Sequence, residues 1–119
     1  MTSVEGLWCF QSASRDNPGL FEYGGTVVLE TGRVLGGDSF LAYIGDYEIT
    51  GNEITARVRS VQWNYAVAVE NVFGMESPID YMVDLVGVRD GDRINGFISP
   101  EGRPELRLPI VMLFMHGLP

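Results

Sequence analysis

Most enzymatic chemistry at neutral pH runs through His, Cys and paired carboxylates, so the stock of those residues bounds what a chain can do. This one holds a single His, His116, and a single Cys, Cys9. His116 falls three residues from the C-terminus, where chain ends fray. With one of each, most nucleophile–base relays and His-based metal sites cannot be assembled. A lone thiol also forms no disulfide within the chain and no zinc site built on paired thiolates. Cys9 lies in the apolar run Leu7-Trp8-Cys9-Phe10, where a thiol behaves as a small hydrophobe.

Carboxylates occur in close pairs at Asp46/Glu48, Asp90/Asp92 and Glu101/Glu105. Two acids facing each other across a cleft can hydrolyse a glycoside, but no apolar pocket marks any of these pairs in the sequence. Asp90-Gly91-Asp92 begins like a calcium loop without its remaining oxygen ligands or terminal Glu, and an Asp-Gly hairpin turn accounts for it. Gly36-Gly37-Asp38 has the composition of a phosphate loop, yet such loops open a helix and the following Ser39 to Tyr43 reads as a strand. A bulge or sharp bend is the expected use. The expectation is a non-enzymatic protein with no catalytic residues, no metal and no cofactor.

The elements that carry these residues follow from composition and pattern. At 119 residues, with 45% hydrophobic and 20% charged, the chain suits one globular domain over 1–119. Its 16 acidic residues outnumber eight basic ones, all of them Arg, for a net charge of -8. That charge repels phosphate backbones, so direct nucleic-acid binding is not expected. Met1 to Glu5 has neither the basic nor the apolar region of a secretion signal. The longest apolar run, Ile110 to Met115, is far shorter than the roughly 20 residues of a membrane helix. A cytoplasmic location without a membrane partner is the default expectation.

Turn signals recur at short intervals: Thr31-Gly32-Arg33, Thr50-Gly51-Asn52, Arg89-Asp90-Gly91-Asp92 and Pro100-Glu101-Gly102-Arg103. Each places a glycine where a tight turn needs positive φ. Between them apolar residues alternate, which predicts strands near 6–13, 24–30, 33–36, 39–48, 53–62, 80–87, 93–99 and 105–115. Trp63 to Ser77 is ambiguous: an extended strand, a long loop or a turn of helix. It is the longest connection, and long connections often serve function.

Alternation also assigns faces. Ile54, Ala56 and Val58 share one side, against Thr55, Arg57 and Arg59 on the other; Tyr81, Val83 and Leu85 point inward; Ile94 and Ile98 oppose Arg93 and Asn95. The final strand is apolar on both sides, with Leu108, Ile110, Met112 and Phe114 on one and Pro109, Val111, Leu113 and Met115 on the other. Such a strand is covered twice, by a second copy of the chain or by residues 63–77 folding back. A homodimer through Val111, Leu113 and Met115 is the favoured expectation. Eight antiparallel strands are better closed than open, because closure removes sheet edges. The result is an all-β, up-and-down antiparallel barrel whose interior is filled by side chains or holds one small ligand. Trp8, Phe10, Phe40, Tyr81 and Phe114 are the bulky candidates for that interior.

Gly6-Leu7-Trp8 on the first strand resembles the Gly-x-Trp start of lipocalins, in which Trp plugs one barrel end under a late Arg; Arg107 is the candidate counterpart, through a cation-π contact. Taken with Thr31-Gly32-Arg33-Val34-Leu35-Gly36-Gly37-Asp38 and Tyr43-Ile44-Gly45-Asp46-Tyr47, it resembles the GrlR-type negative regulators of type III secretion and their bacterial relatives. Leu85-Val86-Gly87, Gly91-Asp92-Arg93-Ile94-Asn95-Gly96 and the closing Leu-Pro are similar as well, so the likeness spans nearly the whole chain. The resemblance implies an eight-stranded lipocalin-like β-barrel that dimerises. It also implies a protein-binding regulator that restrains a helix-turn-helix transcriptional activator through an acidic Glu-Asp-Glu-Asp surface loop. The corresponding turn here is Ile49-Thr50-Gly51-Asn52, flanked by Glu48 and Glu53, and the acidic tetrad is absent. The partner contacts expected from it are Glu48, Asn52 and Glu53. The alternative function is a lipocalin-like carrier of a small apolar ligand in the barrel interior.

Overall fold

Strands form where the alternation places them, in a computed structural model that describes residues 3–119. In chain order they are β1 (Gly6–Ser12), β2 (Tyr23–Glu30), β3 (Arg33–Gly37), β4 (Leu41–Thr50), β5 (Glu53–Gln62), β6 (Asp80–Asp90), β7 (Arg93–Pro100) and β8 (Leu108–His116). Each pairs antiparallel with the next, and β8 returns to β1 to close the barrel. Closure leaves no sheet edge for a foreign strand. β2 begins one residue early and β4 two residues late, and the start that shifts most is the last. Pro104 has no N–H to give a ladder, and Pro104–Leu106 form a single 3-10 turn before β8 begins at Leu108.

Up-and-down order sorts the connections between two ends. At one end the strands reverse within two residues, at 31–32, 51–52 and 91–92. Thr31 and Gly32 there take φ of 49° and 77°, while Gly51 and Gly91 take 61° and 63°, the left-handed conformations that two-residue hairpins require. Gly102 also has positive φ, but its turn belongs to the longer 101–107 connection. That connection joins the segments 13–22, 38–40 and 63–79 at the opposite end.

The two-residue end is plugged. Trp8 is fully buried, donates from Nε1 to the Val4 carbonyl at 2.8 Å, and meets Phe114 edge to face at 5.3 Å. Gly6 makes this packing possible: at φ 146° a Cβ on it would collide with the His116 carbonyl and the Phe114 ring. Ile54, Ile94 and Leu29 complete the buried layer. The Arg over Trp8 is Arg89, 5.8 Å from the ring, and Arg107 lies instead over Phe97 at 4.4 Å. This corrects the expected pairing, and the reason is topological. Arg89 is the next-to-last residue of β6, at the plugged end, whereas Arg107 sits in a connection at the other. Arg89 is held there by donating to the Gly91 and Ser3 carbonyls.

Faces follow the strand period. Ile54, Ala56, Val58, Leu85, Ile98, Ile110 and Met112 turn into the barrel, and Thr55, Arg57 and Arg59 turn out. On the outside Arg59 forms a two-pronged ion pair with Asp80, both contacts at 2.8 Å. This pair holds the Asp80 carboxyl below, and the Arg59 guanidinium above, their usual ranges. On the outer face of β8, Val111 is buried within the single chain, while Leu113 and Met115 are exposed. Residues 63–77 do not fold back over these exposed side chains. They run to the open end, where the Val72 carbonyl accepts from the Arg15 amide at 2.7 Å.

Candidate functional site

Above the plug the interior is not filled. A cavity of about 490 Å³ occupies the barrel from the Leu29, Ile54, Leu85 and Met112 layer up to the long connections. Its walls are strand residues whose inward parity was set by alternation: Phe10, Val27, Val34, Tyr43, Tyr47, Ala56, Val58, Val83, Ile98 and Ile110. Packed interiors hold few voids larger than a water molecule. A space this size falls within the roughly 300–1,000 Å³ of small-molecule sites.

The mouth is built by chain segments far apart in sequence. Segment 63–79 contributes Val69, Glu70, Asn71, Val72, Phe73 and Ile79; segment 38–40 contributes Asp38, Ser39 and Phe40; Glu22 and Tyr23 come from the start of β2 and the residue before it. Gln62 stitches the long segment down. Its amide donates to the Ile79 carbonyl at 2.8 Å, its Oε1 accepts from the Ile79 amide at 3.3 Å, and its Nε2 donates to the Asn64 carbonyl at 3.0 Å. Phe73 is buried and stands edge to face with Tyr81 at 6.4 Å. Asn71 Oδ1 accepts from the Phe73 and Met75 amides at 3.0 and 2.9 Å, which fixes the amide's orientation. Its Nδ2 is buried with no hydrogen-bond partner among the described residues.

One carboxylate is held in this wall by design of the bend. After the Gly36-Gly37 pair, Asp38 Oδ1 accepts from the Phe40 and Leu41 amides at 2.9 and 2.8 Å, and the Tyr43 hydroxyl donates to Oδ2 at 2.6 Å. Burial pushes the Tyr43 hydroxyl far above its ordinary range, and the hydrogen bond and charge of Asp38 push it further. Burial alone raises Tyr81 in the same sense. Both phenols are therefore neutral donors at any ordinary pH. Glu22, Asp38 and Glu70 are the acids that line the cavity, and none of the described residues lining it is Arg or His.

The residues expected in the interior divide between two levels. Phe10, Phe40 and Tyr81 line the cavity, while Trp8 and Phe114 lie below it in the plug. Glu48, Asn52 and Glu53 are exposed around the β4–β5 turn at the plugged end, away from the cavity. Val111, Leu113 and Met115 lie on the outer face of β8. The acid pairs Asp46/Glu48, Asp90/Asp92 and Glu101/Glu105 are all exposed. Asp38 was visible in the sequence only as part of a bend, and Asn71, Phe73 and Ile79 lay in the ambiguous segment. Tyr43 is not among the expected interior residues; the signal that finds it is parity, since it precedes the inward Tyr47 by four residues on β4. No protein-family model and no curated protein matches this chain.

Proposed function

We propose that the barrel is a binding protein rather than an enzyme and takes one small apolar molecule into its interior. The cavity is the observation that carries this reading: it is large, apolar through its depth, and open at one end through a polar rim. Those are the attributes of small-molecule sites in barrel mouths. Titration with Nile red, a neutral apolar dye, tests it. Saturable binding with blue-shifted, enhanced emission is expected, and Ala56→Phe, which fills the cavity from its wall, is expected to weaken it at least about tenfold. An emission that stays at its aqueous value with the wild-type chain overturns the reading.

The outer face of β6–β8 supports a second reading, a cytoplasmic, GrlR-like, protein-binding regulator that acts as a homodimer. Val86 and Phe97 stand opposite each other across β6 and β7, with Val88, Leu113 and Met115 also exposed on that face. Exposed large apolar side chains gathered on one face are a feature of interaction sites, and here Arg93 and Asn95 lie among them. On this reading a second copy covers the face, and Glu48, Asn52 and Glu53 meet a helix-turn-helix activator. Sedimentation velocity is expected to give a dimer for the wild type and a monomer for Val88→Glu with Leu113→Glu. A monomeric wild type removes the dimer from this reading.

A further inference from the structure

We infer that the ligand of this cavity carries a protonated amine at its polar end, seated at the mouth beside Asp38. The inference rests on the ligand-binding reading above and adds the charge of the ligand's head.

Three carboxylates line the cavity, Glu22, Asp38 and Glu70, and no lining residue among those described carries positive charge. Two of the three have other company. Glu70 lies 3.5 Å from the Arg15 guanidinium, and Glu22 accepts from Asn17 at 3.4 Å. Asp38 differs. It is half-buried, its partners are two backbone amides and the Tyr43 hydroxyl, all neutral, and no cation among the described residues lies at ion-pairing distance from it. The three donors fix its position without neutralising it. A charge held in an apolar wall acts through a lower effective dielectric than one in water, so its influence on a ligand's head is strong.

A fatty-acid carboxylate seated beside Asp38 would meet like charge, and none of the described residues lining the cavity is an Arg or His that could answer it. An ammonium group would meet the Asp38 carboxylate at the depth where the wall turns polar, and its alkyl chain would extend into the apolar part of the barrel. Tyr43 and Tyr81 add hydroxyls without charge. The net charge of -8 acts in the same direction at longer range.

Displacement of Nile red from the full chain by decylamine, decanol and decanoate, at equal chain length and below micelle-forming concentrations, separates the head from the tail. Decylamine is expected to displace the dye at least about tenfold more tightly than decanoate, with decanol between them. In Asp38→Asn the advantage of decylamine over decanol, both read as displacement of Nile red from that same variant, is expected to collapse. Should that variant fail to fold, added salt serves instead, narrowing the amine-over-alcohol gap in the wild type. Decanol equal to decylamine, decanoate strongest, or an amine advantage indifferent to both Asp38→Asn and salt overturns the inference and leaves the apolar-ligand reading intact. No binding of dye, amine or alcohol overturns both.

Discussion

At one end of the barrel the strands turn back within two residues, over a layer where Trp8, Ile54 and Ile94 are almost wholly buried. At the other, segments 13–22, 38–40 and 63–79 contribute to the walls of an apolar cavity. The same eight strands thus end once in a packed plug and once in a mouth. The difference shows how one small sheet separates stability from binding. Short turns order few residues and leave Trp8 in one core cluster with side chains of the other strands, whereas long connections bury less per ordered residue and leave room. Exposed Leu20, Phe21, Trp63, Tyr65 and Val67 all belong to the long connections, where burial has been given up.

The strongest test of this division compares one aromatic from each end. Trp8→Ala removes a fully buried ring and its hydrogen bond and is expected to cost about 3–5 kcal/mol in urea unfolding. Phe40→Ala, at the half-buried rim, is expected to cost less than half as much while weakening Nile red binding. Equal losses of stability from the two variants would break the comparison.

A smaller effect comes from alkaline pH, and it belongs to the open end alone. Tyr43 and Tyr81 both line the cavity and both have hydroxyls raised above the ordinary tyrosine pKa of about 10. Above that value the unfolded chain has released these protons and the folded chain still holds them, so unfolding is favoured as pH rises. Their contribution to stability is full below about pH 10 and is lost progressively above it. Tm measured by circular dichroism is expected to fall over that alkaline range, and to fall less steeply in Tyr81→Phe. An unchanged slope in that variant would separate Tyr81 from the alkaline loss.

Much of the barrel is legible in the sequence. Strand alternation has a period of two imposed by the backbone itself, so Ile54, Ala56 and Val58 announce an inward face without reference to the rest of the chain. The glycine turns were equally plain, because left-handed backbone selects glycine locally. The partner of Trp8 was not read correctly. Parity of an up-and-down meander puts the end of β6 at the same end of the barrel as the start of β1, which admits Arg89, and puts the β7–β8 connection at the far end, which excludes Arg107. Of the site, Phe10, Phe40 and Tyr81 read from the sequence as bulky interior residues, but size alone suggests filling, and in the structure they form walls.

The chain's own alternation and turns determined eight strands and their faces, because each of those is a property of a few neighbouring residues. Only the tertiary structure decided that the interior is plugged at Trp8 and open above it. A cavity is the difference between the barrel's width and the volumes of side chains drawn from all eight strands, and no local pattern contains that difference. The same holds for the mouth, where Glu22, Asp38 and Glu70 come together from three separate segments because barrel closure brings their loops to one end.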